Sequence, residues 1–152
     1  MRPERFVEFA RDRYPAVGGV REVEPWSEGT VRPFGVLVTF DSGPRLWHAV
    51  TAQPATGAEP VAARAPEPVP QPELGAGRLT PLAAERFLVA AVTNAAPPGA
   101  ARVWGYSERE PPASTPGFGV EFHDGARIFA PFVHLAGPGQ QRGAAYALSS
   151  AA

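Results

Sequence analysis

A chain of 152 residues with a formal net charge of -1 has room for one domain with a sizeable core, or for two very small ones. Its 44% hydrophobic and 19% charged residues are those of a globular protein, and its near-neutrality leaves no overall field to attract nucleic acid or an anionic membrane. The absence of cysteine excludes disulfides, thiolate metal sites and a cysteine nucleophile, and no apolar run approaches the ~20 residues of a membrane helix.

All 14 basic residues are arginine, and with 19 Pro and 16 Gly this is the signature of a GC-rich genome, as in actinobacteria. Genome bias, rather than arginine-specific chemistry, therefore accounts for the missing lysine. The chain begins Met1-Arg2-Pro3-Glu4-Arg5-Phe6, charged where a secretion signal would be apolar, so the expected location is the cytoplasm.

Pro3 stands where a missing N–H costs a helix nothing, and Phe6, Phe9, Ala10 and Tyr14 recur at helical spacing. The pattern predicts an amphipathic helix from Pro3 to about Tyr14, stopped by Pro15 and Gly18-Gly19. Val20 to Trp26 is predicted as an edge strand because of Pro25. Then follows Phe34-Gly-Val-Leu-Val-Thr-Phe-Asp-Ser-Gly-Pro-Arg-Leu-Trp-His-Ala-Val50, a strand, a turn and a second strand. Val36, Val38 and Phe40 share one face of it with Phe34, and Leu46, His48 and Val50 alternate with Arg45, Trp47 and Ala49. Large apolar groups on both faces imply cover on both sides or an exposed aromatic surface.

From Gln53 to Gly77 proline and alanine dominate, which predicts a linker without regular structure and open to proteolysis. Thr80-Pro81 pairs an N-cap with proline at the first helical position and opens a more apolar helix that Asn94 and Pro97-Pro98-Gly99 end. Arg102 to Glu108 is predicted as a strand. After a Pro-rich loop a second hairpin runs from Phe118 to about Leu135, turning at Asp124-Gly125. A Gly/Ala/Ser-rich tail ends the chain.

The two halves echo one another. Glu4-Arg5-Phe6 aligns with Glu85-Arg86-Phe87, Phe34-Gly35-Val36 with Phe118-Gly119-Val120, and Asp41, Arg45, Leu46 and Trp47 with Asp124, Arg127, Ile128 and Phe129. Each unit of about 50 residues is too small for its own core, so the two are expected to share one. The expected fold is α+β: two tandem helix–strand–β-hairpin units forming one pseudo-twofold domain with an antiparallel sheet. Residues 1–52 are the first unit, 53–79 a Pro/Ala-rich linker, 80–136 the second unit and 137–152 a flexible tail.

The catalytic inventory is thin. His48 lies in mid-strand and reads as a structural histidine on a sheet surface, His123 belongs to a turn, and His134 has no local partner. No three-ligand metal pattern, Gly-x-Ser-x-Gly elbow or phosphate loop occurs. Arg45 and Arg127 occupy matching positions beside Trp47 and Phe129, and arginine with aromatics on a sheet is a pattern of single-strand nucleic-acid binders. The neutral charge counts against that partner. Trp26, Trp47 and Trp104 are the interface candidates, since Trp and Arg are enriched at binding hot spots.

The leading expectation is therefore a non-catalytic protein-binding or assembly module of a small intracellular or mobile-element-encoded system. It would act through Trp26, Arg45, Trp47, Trp104, Arg127 and Phe129 on a protein partner or a second copy, with no cofactor, metal or membrane. The alternatives are a small enzyme or small-molecule-binding domain with a pocket at the repeat junction using His48, and nucleic-acid binding through the Arg/aromatic face.

Overall fold

The Thr80 hydroxyl accepts the Ala83 amide at 3.1 Å and Pro81 fills the first turn, so helix α2 (Pro81–Ala95) starts where its capping chemistry requires. The first helix, α1 (Pro3–Arg13), also opens on proline and continues into a 3-10 turn, Tyr14–Ala16, that Pro15 permits. The computed structural model describes residues 1–55, 64–75, 78–108 and 115–138.

Among the described residues seven strands accompany the helices: β1 (Val20–Glu28), β2 (Arg32–Phe40), β3 (Arg45–Ala49), β4 (Thr51–Gln53), β5 (Ala100–Gly105), β6 (Gly117–Phe122) and β7 (Arg127–Ala136). All pairings are antiparallel, in the order β1-β2-β3-β7-β6-β5, with the short β4 alongside β7 below β3. The fold is thus a mixed α+β one with a single antiparallel sheet. Arg102 to Glu108, expected as one strand, divides into β5 and a 3-10 turn, Tyr106–Glu108.

Both helices pack on one face of this sheet. Phe6, Val7 and Ala10 of α1 and Ala84, Phe87, Leu88 and Val92 of α2 meet Val36, Val38, Phe40, Leu46, Phe118, Val120, Ile128 and Phe132 in one core. That core draws on both halves, as the small size of each demands.

The halves share backbone detail. The β2–β3 turn closes with Phe40 N–H to Pro44 O and Gly43 N–H to Phe40 O, and the β6–β7 turn with Phe122 N–H to Ala126 O and Gly125 N–H to Phe122 O, each bond 2.9 Å. Gly43 and Gly125 both take the left-handed φ that this turn needs, 106° and 88°. Entry into the edge strands also matches. Asp41 N–H reaches Gly19 O, His123 N–H reaches Gly99 O, and the register slips between Val20 and Glu22 and between Ala100 and Arg102. Two sequence echoes are out of step: Phe34 stands six residues before Phe40 but Phe118 four before Phe122, and Asp41 follows Phe40 by one but Asp124 follows Phe122 by two, so that the turn sets Asp41 against His123. Arg45 and Arg127 each follow the phenylalanine of their turn, Phe40 or Phe122, by five.

The Pro/Ala segment lies against the helix layer where it is described. Val69 N–H donates to Asn94 Oδ1 at 2.7 Å, Asn94 Nδ2 donates to Val69 O at 2.9 Å, and Gln71 Nε2 donates to Phe87 O at 3.0 Å. Residues 64–75 form no helix or strand, whereas Gln53, expected at the start of the linker, ends β4 opposite Arg127. The rest of the expected linker (56–63, 76–77), part of the Pro-rich loop (109–114) and all of the tail beyond Pro138 lie outside the described residues.

Candidate functional site: the helix-free face of the sheet

Strand alternation sends every second side chain away from the helices. On β3 these are Arg45, Trp47 and Ala49, and on β7 they include Arg127 and Phe129. On β5 and β6 they are Arg102, Trp104, Gly119 and Glu121. On β1 they are Glu22, Glu24 and Trp26, since Val23 between them packs into the core. The six interface candidates, Trp26, Arg45, Trp47, Trp104, Arg127 and Phe129, therefore all stand on one face. Among the described residues no helix covers it.

The centre of the face is a second apolar cluster: Trp47, Ala49, Val133 and Ala136, bordered by Trp26 and Leu37. Trp47 is only 5% exposed and forms its floor, whereas Trp26, Trp104 and Phe129 are half-buried. The Arg45 guanidinium lies over Trp47, 5.1 Å from the ring centre, and the Trp47 ring lies 5.8 Å from that of His134. Arg102 lies over Trp104 in the same manner at 4.9 Å, and Trp104 meets Phe129 edge-on at 6.3 Å. Each Arg-x-Trp triplet in a strand puts cation and ring on the same side at one strand repeat, which explains the recurrence. Two glycines make room for the indoles. A Cβ on Gly35 would fall 2.6 Å from Trp26 Cε3, and one on Gly119 would overlap the Trp104 ring.

Charge on the face is unevenly placed, with Arg45 in the row of Glu22 and Glu121 between two arginines. Glu121 holds Arg127 at 2.9 Å and Arg102 at 3.6 Å at the β5 side. Glu22 and Glu24 stand together on the β1 edge, and Glu24 is pushed above the ordinary carboxylate range by its hydrogen bond to Glu22 and by that neighbour's charge. Arg102, Glu121, Glu22 and Glu24 did not enter the sequence-predicted site. The repeated Arg-x-Trp spacing points to Arg102, and strand alternation points to Glu22 and Glu24 once Val23 is known to face inward.

The histidines occupy three different settings. His48, expected on a sheet surface, is fully buried in the core. It is flanked by Phe118 and Phe132, its Nε2 accepts the Tyr14 hydroxyl at 3.1 Å, and its Nδ1 donates to Ala49 O at 3.0 Å. Burial lowers its pKa to about 4, against a smaller opposing effect of the Ala49 carbonyl. His134 borders Trp47 on the helix-free face. His123 lines an open hollow of about 520 Å³ with Arg2, Arg5 and Asp124, whose carboxylate is engaged by the Ala126 amide at 2.9 Å. Among the described residues no three His, Asp or Glu groups stand close enough to hold a metal. No described helix is long and apolar enough to cross a membrane.

Compared with known proteins, the chain matches no family model, no curated protein and no solved structure.

Proposed function

We propose that the chain is a non-catalytic protein-binding module and that its contact surface is the helix-free face of the sheet. The observation that carries this reading is that Trp26, Arg45, Trp104, Arg127 and Phe129, all part-exposed, stand on the same sheet face as the apolar floor of Trp47, Ala49 and Val133. An aromatic and arginine patch over a packed apolar floor has the composition of a protein-interface hot spot. Cation–π stacking and the Glu121 ion pairs hold the rims in place, so little side-chain freedom remains to be lost on binding.

Supporting the non-catalytic part, both ring nitrogens of His48 are engaged within the core, one by the Tyr14 hydroxyl and the other by the Ala49 carbonyl. A nucleic-acid strand suits the face less well. Two of its arginines share Glu121, and Glu22 and Glu24 line its far edge. We further read the two halves as one duplicated unit about a pseudo-twofold axis through the β3–β7 pair. The matched turns, the matched bulges and the strand order support this reading.

Photo-crosslinking in living cells tests the surface. A photoreactive phenylalanine analogue at position 104 or 129 should yield protein adducts, and the same analogue at Leu82 or Asp12, on the exposed side of the helices, should yield few. Adducts as frequent from the helix side would overturn the assignment.

A further inference from the structure

The arrangement of charge on the helix-free face is self-complementary. Register places Glu22 opposite Thr39, Thr39 opposite Arg45, and Arg45 opposite Ala136 at the end of β7. At the other end, Arg102 lies opposite Glu121 and Glu121 opposite Arg127, the first residue of β7. These two rows are therefore separated by almost the whole of β7, roughly 30 Å at the rise of an antiparallel strand. They also end on opposite edges of the sheet, since β1 and β5 are its outermost strands. Glu22 with Glu24 and Arg102 with Arg127 thus mark diagonally opposite corners, with the aromatic cluster between them.

Glu22 and Arg102 are moreover the same position in the two halves, each the first paired residue after the bulge of its edge strand. The backbone places two equivalent groups, and the sequence gives them opposite charge. Arg102 is 59% exposed and Arg127 42%, so both remain accessible beside their shared Glu121.

We infer that the occupant of this face is a second copy of the chain, docked face to face about a twofold axis lying in the plane of contact and perpendicular to the acid–base diagonal. Such an axis carries the Glu22/Glu24 corner of each copy onto the Arg102/Arg127 corner of the other. Both contacts form at once, as an isologous interface requires. An axis parallel to the strands superposes β1 on β5 but leaves the charged rows at opposite ends. An axis across the strands sets acidic edge against acidic edge. With sheet width and strand length similar, the diagonal axis makes the strands of the two sheets cross steeply, as in orthogonal sheet packing. Trp26, Trp104 and Phe129 then lose their remaining exposure. The net charge of -1 imposes little repulsion between copies. This inference rests on the reading of the helix-free face as a protein-contact surface.

Sedimentation equilibrium of the full chain tests it by charge reversal. The wild-type chain should be a dimer. Glu22→Arg alone and Arg102→Glu alone should each weaken association by about tenfold or more, because each sets like charges at both corners. The double variant E22R/R102E should recover the wild-type association, and an equimolar mixture of the two single variants should form the heterodimer in preference to either homodimer. Circular dichroism checks that each variant is folded, and Arg102→Gln, which keeps the size of the group without reversing its charge, should give an intermediate loss.

A wild-type chain that stays monomeric, or a dimer indifferent to both reversals, overturns the second-copy assignment. The cross-linking experiment separates that failure from failure of the surface itself. Adducts from position 104 or 129 at twice the chain mass accompany self-association. Adducts of another mass with a monomeric chain leave the contact surface standing and remove only the second copy. A dimer cross-linked solely through its helix side removes both.

Discussion

The hydroxyl of Tyr14 donates to Nε2 of His48 at 3.1 Å, joining the 3-10 turn after α1 to β3 inside the core. Both groups are wholly buried and both are held uncharged: desolvation lowers the histidine pKa to about 4 and raises that of the tyrosine well above 10. For His48 the folded-state pKa lies below the ordinary 6.5, so between the two values the unfolded chain takes up a proton that the folded chain rejects. Its contribution to stability is complete above about pH 6.5 and is lost as pH falls toward 4, a change on the order of 3 kcal/mol. Tyr14 acts at the other limb, where the unfolded chain ionises first and stability falls as pH rises past 10. Urea titrations across this range should show both limbs. The Tyr14→Phe/His48→Leu pair, which replaces both partners by apolar groups, should be near wild type at pH 7 and flatter below pH 6.5.

Glu85 is the buried acid of α2, 2% exposed, and it holds the far ends of β5 and β6 together. Its carboxylate accepts the Gly117 amide at 3.2 Å, the Ser107 amide at 3.3 Å and the Ser107 hydroxyl. Truncation to alanine leaves two backbone N–H groups without that acceptor, so Glu85→Ala should cost about 3–5 kcal/mol and Glu85→Gln about 1–2 kcal/mol. Gly105→Ala should be damaging for the same reason, because its Cβ would fall 2.5 Å from Glu85 Oε2. The midpoint of urea unfolding, at unchanged m-value, is the measurement.

Much of this was legible from local chemistry. Pro3, Thr80-Pro81, Asp124-Gly125 and the alternation of Val36, Val38 and Phe40 each placed an element, because caps, turns and strand periodicity act over a few residues. The gathering of Trp26, Trp47, Trp104 and Phe129 on one side followed from the same alternation once the strands were in register. What eluded sequence reading were the groups whose partners lie far along the chain. Glu85 accepts from donors that lie 22 and 32 positions away, and His48 meets Tyr14 across 34. The Phe-Gly-Val echo misled by two residues because similar words need not sit at equal distances from a turn. That Arg102 and Glu22 each stand first after the bulge of an edge strand emerges only from the register, which leaves no mark in composition.

Trp104 and Gly119 form a coupled pair, the indole occupying the space a side chain on Gly119 would need. Gly119→Ala should lift the ring, break its edge contact with Phe129 and cost about 1–3 kcal/mol. Trp104→Ala removes the ring and with it the clash. A double-mutant cycle should therefore show the two changes together costing less than their sum by about 1 kcal/mol, measured from urea unfolding with tryptophan fluorescence as one readout. Strict additivity would mean that the ring does not rest on the glycine.

The amide of Asn94 is the clasp between the Pro/Ala segment and α2. It both donates to and accepts from Val69, at 2.9 and 2.7 Å, and so satisfies two backbone groups of a stretch that makes no ladder of its own. Proline-rich chain gains little from internal hydrogen bonds, so side-chain bonds of this kind determine how closely it follows the helix. Gln71, bound to the Phe87 carbonyl at 3.0 Å, is the second fastening. Removing the clasp should open the segment locally without unfolding the core, because Val69 is itself 42% exposed and the pair lies at the surface. Asn94→Ala should therefore lower global stability by no more than about 1 kcal/mol while accelerating tryptic cleavage after Arg64 and Arg78, the arginines that bracket the segment, by about fivefold. Asn94→Asp keeps an acceptor for the Val69 amide but loses the donor, and its cleavage rate should fall between wild type and alanine. Mass spectrometry of the early digest reports the sites. If Asn94→Ala is cut no faster than wild type there, while urea unfolding confirms an intact core, Asn94 does not restrain the segment.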